Sequence, residues 1–570
     1  MNDSDVALLV TASALFPGTP ADESALLTQL TQLSRDDALC ICAKLNAIVS
    51  GFAPARSLYE RQDEAVSFLQ LTLSEKFALS DYAKRHGGPD RIFVFFRGQL
   101  LELARAIAVH CQNLPGDGET FNDPAVRSAF LRAALIASEL WQARLFGAAG
   151  LSVHEPLRQV LGKFRKNVEE ASQAPHPGFT TSRGWLLFTQ YLPSHLPDFT
   201  NRFEQATGLT LRQYFVCAFH LTGHTLADRP GIERLFPTRF SGELPYVGVL
   251  NRFIQLQSQT PDDWAQTLRG VPVDSGYRSL RERPIFSFDR NRSVVFEPSL
   301  YLGNLSSAPL FQVRSNNMPM DKLFALFGSA FEDYATDLLR RRFPSGNGML
   351  HQALRGNLEG VDRAGNAFQI DALLNIELTT ASIFEMKASW LREESILADD
   401  PEIFLTEIRK KYSYDPVGKT RKGVAQLARS VGALIRGEWS GPDREYAGVT
   451  SVFPVLLVFD ERMGTPGLGQ FLESEFRTLL GAVPSGRLVH PVTVLTIFDL
   501  EHLVWGVESL SLQAFLREYS AADHERLSSV HNFISRSAFL NQVGQSELLE
   551  ELSAGFMEEA RREIMGTSST

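Results

Sequence analysis

A mixed α/β core behind a large, mainly α-helical N-terminal region is the fold class the sequence predicts, and three patterns predict it. Up to about residue 310, apolar residues recur at the three-and-four spacing of amphipathic helices. After about residue 285, short β-type runs appear. Between about residues 321 and 500 the order reads helix, three strands, helix, strand, helix, strand, which describes a mixed sheet flanked by helices.

Taken in chain order, Asp63–Lys84, Phe96–Gln112 and Ala125–Phe146 read as helices. Trp185–Leu192 reads as a shorter helix ended by Pro193. Phe199–Phe215 looks like a helix pair, with Thr207-Gly208 closing the first and the second starting near Thr210. Turn-type punctuation falls at Pro115–Gly118, Pro175–Gly178 and Pro230–Gly231. Pro284–Phe288 and Ser293–Phe296 are β-type. A helix is expected over Asp321–Arg342, stopped by Pro344, and then a strand over Met349–Leu354. A hairpin follows, Ala367–Leu378 and Ser382–Ser389 joined by Thr379–Ala381. Beyond an insertion, Trp390–Gly418, come a helix at Lys419–Arg436, buried strands at Ser451–Phe459 and Pro491–Phe498, and a helix between them at Gly467–Leu480. Leu500–Thr570 reads as charged helix fraying into a polar tail. The units expected are a helical recognition or regulatory region (1–285), a connecting β-type segment (286–320), the core (321–500) and a C-terminal helical extension (501–570).

Composition narrows the class. With 44% hydrophobic and 21% charged residues, the chain is that of an ordinary folded protein. A formal net charge of -10 excludes a uniformly basic nucleic-acid coat, though not a local basic groove. The four cysteines, Cys40, Cys42, Cys111 and Cys217, form no CxxC pair and no zinc-finger spacing, and read as idle thiols in a reducing compartment. The N-terminus lacks a basic secretory start, and no apolar run approaches the ~20 residues that span a bilayer. A cytoplasmic protein that does not bind membranes is the expectation.

The hairpin carries the chemistry. It reads FQIDALLNIELTTASIFEMKASW, with Asp371 in the first strand and Glu385 and Lys387 in the second. Period-two geometry puts Glu385 and Lys387 on one face, and a short turn brings Asp371 beside Glu385. Neighbouring carboxylates on an apolar hairpin repel one another and lose hydration. A hard divalent cation such as Mg²⁺, with Mn²⁺ as a substitute, relieves both costs. A metal beside an ammonium suits phosphodiester hydrolysis, because it activates water and neutralises charge developing on phosphate.

Asp371 followed by Glu385-Met386-Lys387 resembles the PD-(D/E)xK motif of restriction-endonuclease-like nucleases. Glu332, in GSAFEDYATDLL, is similar to that family's acidic residue on the helix before the sheet. Gln426, in KGVAQLARSVGAL, is similar to the glutamine on its following helix. The resemblance covers roughly residues 320–500, and Ile370 stands where the family often has proline. It implies that Asp371, Glu385 and the Met386 carbonyl hold the metal, that Glu332 supports it, that Lys387 positions the attacking water, and that Gln426 orients Lys387, water or substrate. Apart from context, D-x13-E-x-K is a weak signal that solvated strand carboxylates also produce.

Basic residues gather nearby, among them Arg409, Lys410, Lys411, Lys419, Arg421 and Lys422, with only Asp415 opposing them between Arg409 and Arg436. Lys410, Lys411, Lys419, Arg421 and Lys422 are candidate phosphate contacts, and Tyr412 and Tyr414 candidate stacking residues. Gly418-Lys419-Thr420 echoes the end of a P-loop but lacks its first glycine, that position being Ser413. His220 and His224 are four apart with no accompanying HExxH acid, so core or surface histidines are the simpler reading.

The expectation is a Mg²⁺-dependent endonuclease acting on DNA. The joining of a nuclease core to a large helical region resembles components of restriction or phage-defence systems. A homodimer or a partner ATPase or helicase subunit would let such a core cut both strands. The rival readings are a non-catalytic nucleic-acid-binding or scaffold protein that keeps the fold, and an RNA-cleaving effector.

Overall fold

The computed structural model describes residues 8–536 apart from 51–57, 113–118, 147–156, 168–176, 228–245, 271–276, 290–291, 314–317, 344–351, 362–364, 366, 377–378, 416, 418–419, 439–447, 506–511 and 523–528. Beyond 536 it describes only residues 555, 556, 558, 560 and 562. Met349–His351, Lys419, most of the final tail and the punctuation at 115–118, 175–176 and 230–231 therefore lie outside the described residues.

The N-terminal region is helical as expected, with two differences. The stretch read as one helix over 63–84 is two, Leu58–Phe68 and Leu73–Arg85. Gln70 adopts a left-handed φ of 49° between them. Thr72 then restarts the helix with a capping box, its N–H donating to Glu75 Oε2 at 2.9 Å. The second difference is Pro193, which does not end its helix. Pro177–Leu186 runs through a π turn at Leu187–Tyr191 into Leu192–His195. The wider turn moves the preceding carbonyls away from the proline ring, so the helix passes through it. Phe199–Thr207 and Leu211–Ala227 form the expected pair, closed at Gly208 by a left-handed φ of 72°.

The core begins with helix α1, Met320–Arg342. Strands β1 (Gln352–Val361), β2 (Ala367–Ile376) and β3 (Thr380–Lys387) follow. The insertion contains helices Glu393–Leu397 and α2, Pro401–Tyr412. Then come α3 (Val424–Ile435), β4 (Ser451–Val458), α4 (Leu468–Leu480), β5 (Leu488–Val489) and β6 (Thr493–Thr496). The described part of the strand expected at 349–354, residues 352–354, is the start of a ten-residue one. The strand expected over 491–498 gives way to a helix at Ile497, where Thr496 accepts from the N–H of Asp499 and caps it. The helix expected from Lys419 starts at Val424, because Thr420-Arg421 pairs as a short strand with Tyr414-Asp415.

The sheet has six strands in the order β5-β4-β3-β2-β1, with β6 continuing alongside β4. Strand β2 is antiparallel to both neighbours, whereas β4 is parallel to β3, β5 and β6. The sheet is therefore mixed. One layer, including Phe384, Met386 and Leu457, packs on α1, on helices between Leu187 and Ile254, and on C-terminal helices. The other, including Ile383 and Leu456, packs on α2, α3 and α4. A separate cluster gathers most apolar residues from Val10 to Ala137 with Trp264, Phe286 and Phe296. Packing thus divides the chain differently from the boundary expected at 285, because the helices from Leu187 onward find their apolar partner in α1.

One buried ion pair ties the helix Pro177–Leu186 and the C-terminal helix at Ile497–Trp505 to α1. Arg183 and Glu501 are 1% and 0% exposed and meet at 2.8 Å. Tyr334 of α1 donates its hydroxyl to the same carboxylate at 2.8 Å. Removing the guanidinium alone leaves a buried carboxylate uncompensated, whereas replacing both partners with apolar side chains does not. Arg183→Ala should cost about 3–5 kcal/mol, read as a lowered urea midpoint. Arg183→Met combined with Glu501→Leu and Tyr334→Phe, which also removes the hydroxyl that donates to Glu501, should recover most of it. A single variant as stable as the parent would contradict this role.

Candidate active site

The hairpin brings the expected groups together where its strands part. Pairing of β2 with β3 extends from Ile376–Thr380 to Ala372–Phe384. Beyond it, Asp371 Oδ2 accepts the Met386 N–H at 2.7 Å, so a side chain takes the place of a ladder carbonyl. On the other side β3 stays in register with β4, Glu385 opposite Leu456 and Lys387 opposite Val458. The parallel partner holds Glu385 and Lys387 while β2 turns Asp371 towards them.

Asp371 and Glu385 are 7% and 2% exposed. The Lys387 Nζ meets Glu385 Oε1 at 2.5 Å. Burial pushes Glu385 up to about 8, against the opposing pull of Lys387, and the Asp371 carboxylate adds to the rise. Burial likewise pushes Glu332, on α1, up to about 7, with Asp371 again adding and Lys387 opposing. Asp371 is raised by burial, with Lys387 and the Met386 N–H opposing. Burial by itself would lower Lys387, but Glu385, Asp371 and Glu332 outweigh it and hold its ammonium above the usual lysine range. The four groups therefore form one electrostatic unit.

Three acids beside one ammonium cannot all stay ionised at low hydration and hold protons instead; a divalent cation that displaces those protons fits the site. Glu385 Oε1 also lacks a hydrogen bond of regular geometry although its side chain is buried. Among the described residues, no three carboxyl, imidazole or thiol groups already converge as a metal cluster. Asp371 and Glu385, completed by the Met386 carbonyl that the resemblance implies and by water, would make a partly hydrated oxygen set of the kind Mg²⁺ takes.

The other candidates fare differently. Gln426 is on α3, where its side-chain oxygen accepts the Gly423 N–H at 3.2 Å and caps the helix. Among the described contacts it makes none with Asp371, Glu385 or Lys387. Lys411 is not an open phosphate contact: its ammonium pairs with Glu407 at 3.0 Å and with the Trp390 carbonyl. Arg409 pairs with Glu475 at 3.1 Å. Tyr412 is buried and donates its hydroxyl to the Ser389 carbonyl at 2.6 Å, so it cannot stack on a base. Lys410, Arg421, Lys422 and Tyr414 are exposed. His220 lies on the helix Leu211–Ala227, away from the hairpin in sequence.

One feature escaped the sequence reading. Asn357 of β1 has a left-handed φ of 53° in mid-strand. Its neighbours pair as Gly356–Ala372 and Leu358–Ile370, so the register sets Asn357 opposite Asp371. Asparagine tolerates left-handed backbone better than most residues with a side chain, and here it interrupts the regular ladder opposite Asp371. The Gly356-Asn357 dipeptide, turn-type in composition, was the available signal.

No family model, no curated protein and no solved structure matches the chain.

The raised acids couple to pH. In the cation-free protein Glu385 carries a proton that its unfolded form, near 4.5, loses first. That contribution is full below about 4.5 and disappears as pH rises through about 8. Stability without divalent cation should therefore fall across that window, with a shallower slope in Glu385→Gln. Mn²⁺ binding should release protons at pH 7, read by calorimetry in buffers of differing ionisation enthalpy. Equal heats in all buffers would contradict these protonation states.

Proposed function

We propose that the chain is a metal-dependent nuclease hydrolysing phosphodiester bonds, with a restriction-endonuclease-like core and DNA as its substrate. The observation that carries this reading is the meeting of Asp371, Glu385 and Lys387 at the parting of two strands, with Glu332 on α1 electrostatically coupled to Asp371 and Lys387. Asp371 and Glu385, with the Met386 carbonyl, would hold Mg²⁺, and Glu332 would support it. Bound there, the ion would supply Lewis acidity towards the phosphate and lower the pKa of the attacking water.

The chain's own residues supply the rest. The Met386 N–H fixes the Asp371 carboxylate, so its second oxygen is oriented before any ligand arrives. Lys387 is held by Glu385. Transfer of that carboxylate to a cation would release the ammonium to orient water or to meet charge on the phosphate. Exposed Arg421, Lys422 and Lys410 would engage the nucleic-acid backbone. A role in restriction or phage defence, with a homodimer or a motor subunit completing double-strand cleavage, extends this reading to the helical region.

Purified protein should cut plasmid and linear DNA with Mg²⁺ or Mn²⁺ and not with EDTA. Asp371→Ala and Lys387→Ala should each lower the rate by at least about a hundredfold. Variants that cut like the parent would remove the site. Cutting of matched RNA in preference to DNA would shift the substrate, and oligonucleotide binding without cleavage would favour a scaffold. Arg421→Glu and Lys422→Glu should each weaken binding and reduce the log–log salt slope by about 1. Lys411→Ala should instead lower stability, because it strips a cation from buried Glu407.

A further inference from the structure

Beside the carboxylates lies a second feature with its own chemistry. A cleft of about 370 Å³ opens between α1, β1 and the helical stretch around Pro193. Asp333 and Thr336 follow Glu332 on α1 and form one wall, while Gln190 and Ser194 face them. Gly356 and Asn357 form the floor, the register partners of Ala372 and Asp371. A Cβ on Gly356 would meet the Thr336 methyl at 3.0 Å and the Asp371 carbonyl at 3.6 Å, so floor and candidate active site share one backbone.

The lining selects a ligand class. It is mostly polar and small, which excludes a lipid or a large apolar group. Carboxylates on the wall disfavour a free anion. Asp337 is already committed, accepting from the Tyr191 hydroxyl at 2.8 Å and pairing with Arg340 and Arg341. Ser194 donates its hydroxyl to the Gln190 carbonyl at 2.9 Å, Asp333 Oδ2 pairs with His195 at 2.7 Å and Asn357 Oδ1 accepts from Gln369 at 3.3 Å. What these bonds leave is the Gln190 amide, the Asn357 amide N–H groups and the second Asp333 oxygen, a mixture of donors and acceptors. Amides and carboxylates are the side chains that read base edges, which themselves carry both.

We infer that this cleft receives one unstacked nucleobase of the substrate, next to the phosphate that is cut. The inference rests on the nuclease reading for its ligand. It makes the protein a reader of single-stranded or locally opened nucleic acid, because a base paired and stacked in a duplex must leave it before its edge can enter a cleft. Asn357 is then a specificity residue, and its left-handed backbone sets its amide at the floor instead of in the ladder.

The test uses the full chain carrying Lys387→Ala, so that strands survive, and measures anisotropy with fluorescein-labelled single strands. The probes are four homopolymers and an abasic strand of equal length. A base-bearing strand should bind about tenfold more tightly than the abasic one, the scale of one good edge contact. Asn357→Gly, which keeps the left-handed backbone, and Ser194→Tyr, which fills the cleft, should remove that difference and leave abasic binding unchanged. Equal binding of base-bearing and abasic strands, an undiminished preference in both variants, or no binding would each overturn the proposal. Cleavage by the parent, assayed in parallel, separates the two readings. Cutting with no base preference sinks only the cleft, and base preference with no cutting sinks only the nuclease.

Discussion

Holding three carboxyl groups, two of them buried and one half-buried, beside one ammonium is the constraint on which the rest of this structure depends. Glu385, Asp371 and Glu332 would each prefer water, and Lys387 satisfies them incompletely. The arrangement persists because each member is held from outside the cluster. Strand β4 keeps Glu385 and Lys387 in register, a backbone N–H fixes Asp371, and α1 carries Glu332. A site held in this strained charge state holds protons, and on the proposed reading a cation takes their place.

The surrounding layers serve the same end. Arg183, Glu501 and Tyr334 join the helical region and the C-terminal helices to α1. The insertion after β3 is a buttress. Arg165 donates to the carbonyls of Ile396 and Ala398, both at 2.5 Å, while Arg392 and Lys411 pair with Glu407. Asp460, just after β4, accepts the Leu391 N–H at 2.7 Å and so ties the insertion to the end of the sheet. Charges that look like a basic platform in one dimension are in large part cross-links in three.

Local pattern made much of this legible. The period of α1, the hairpin and the apolar run of β4 are local properties, and they place Asp371, Glu385 and Lys387 without knowledge of the rest. Strand β3 starts and ends two residues earlier than expected because turns share residues with the strands they join, and β1 runs seven residues past its expected end because its pairing with β2 is not a local property. Long-range partners were not legible. Nothing near Lys411 in sequence announces Trp390, and Tyr412 reads like Tyr414 until burial separates them. Pro193 misled because a π turn upstream removes the clash that normally stops a helix. Gln426 matched in position, yet its oxygen caps its own helix.

Locating a bound cation tests the central claim most directly. Crystals of the protein grown with Mn²⁺ and measured at the manganese absorption edge would show where the ion sits. The account predicts one anomalous peak within coordination distance of Asp371, Glu385 and the Met386 carbonyl, with the Lys387 ammonium withdrawn from Glu385. Manganese bound elsewhere, or a Lys387–Glu385 pair unchanged at saturating Mn²⁺, would contradict it.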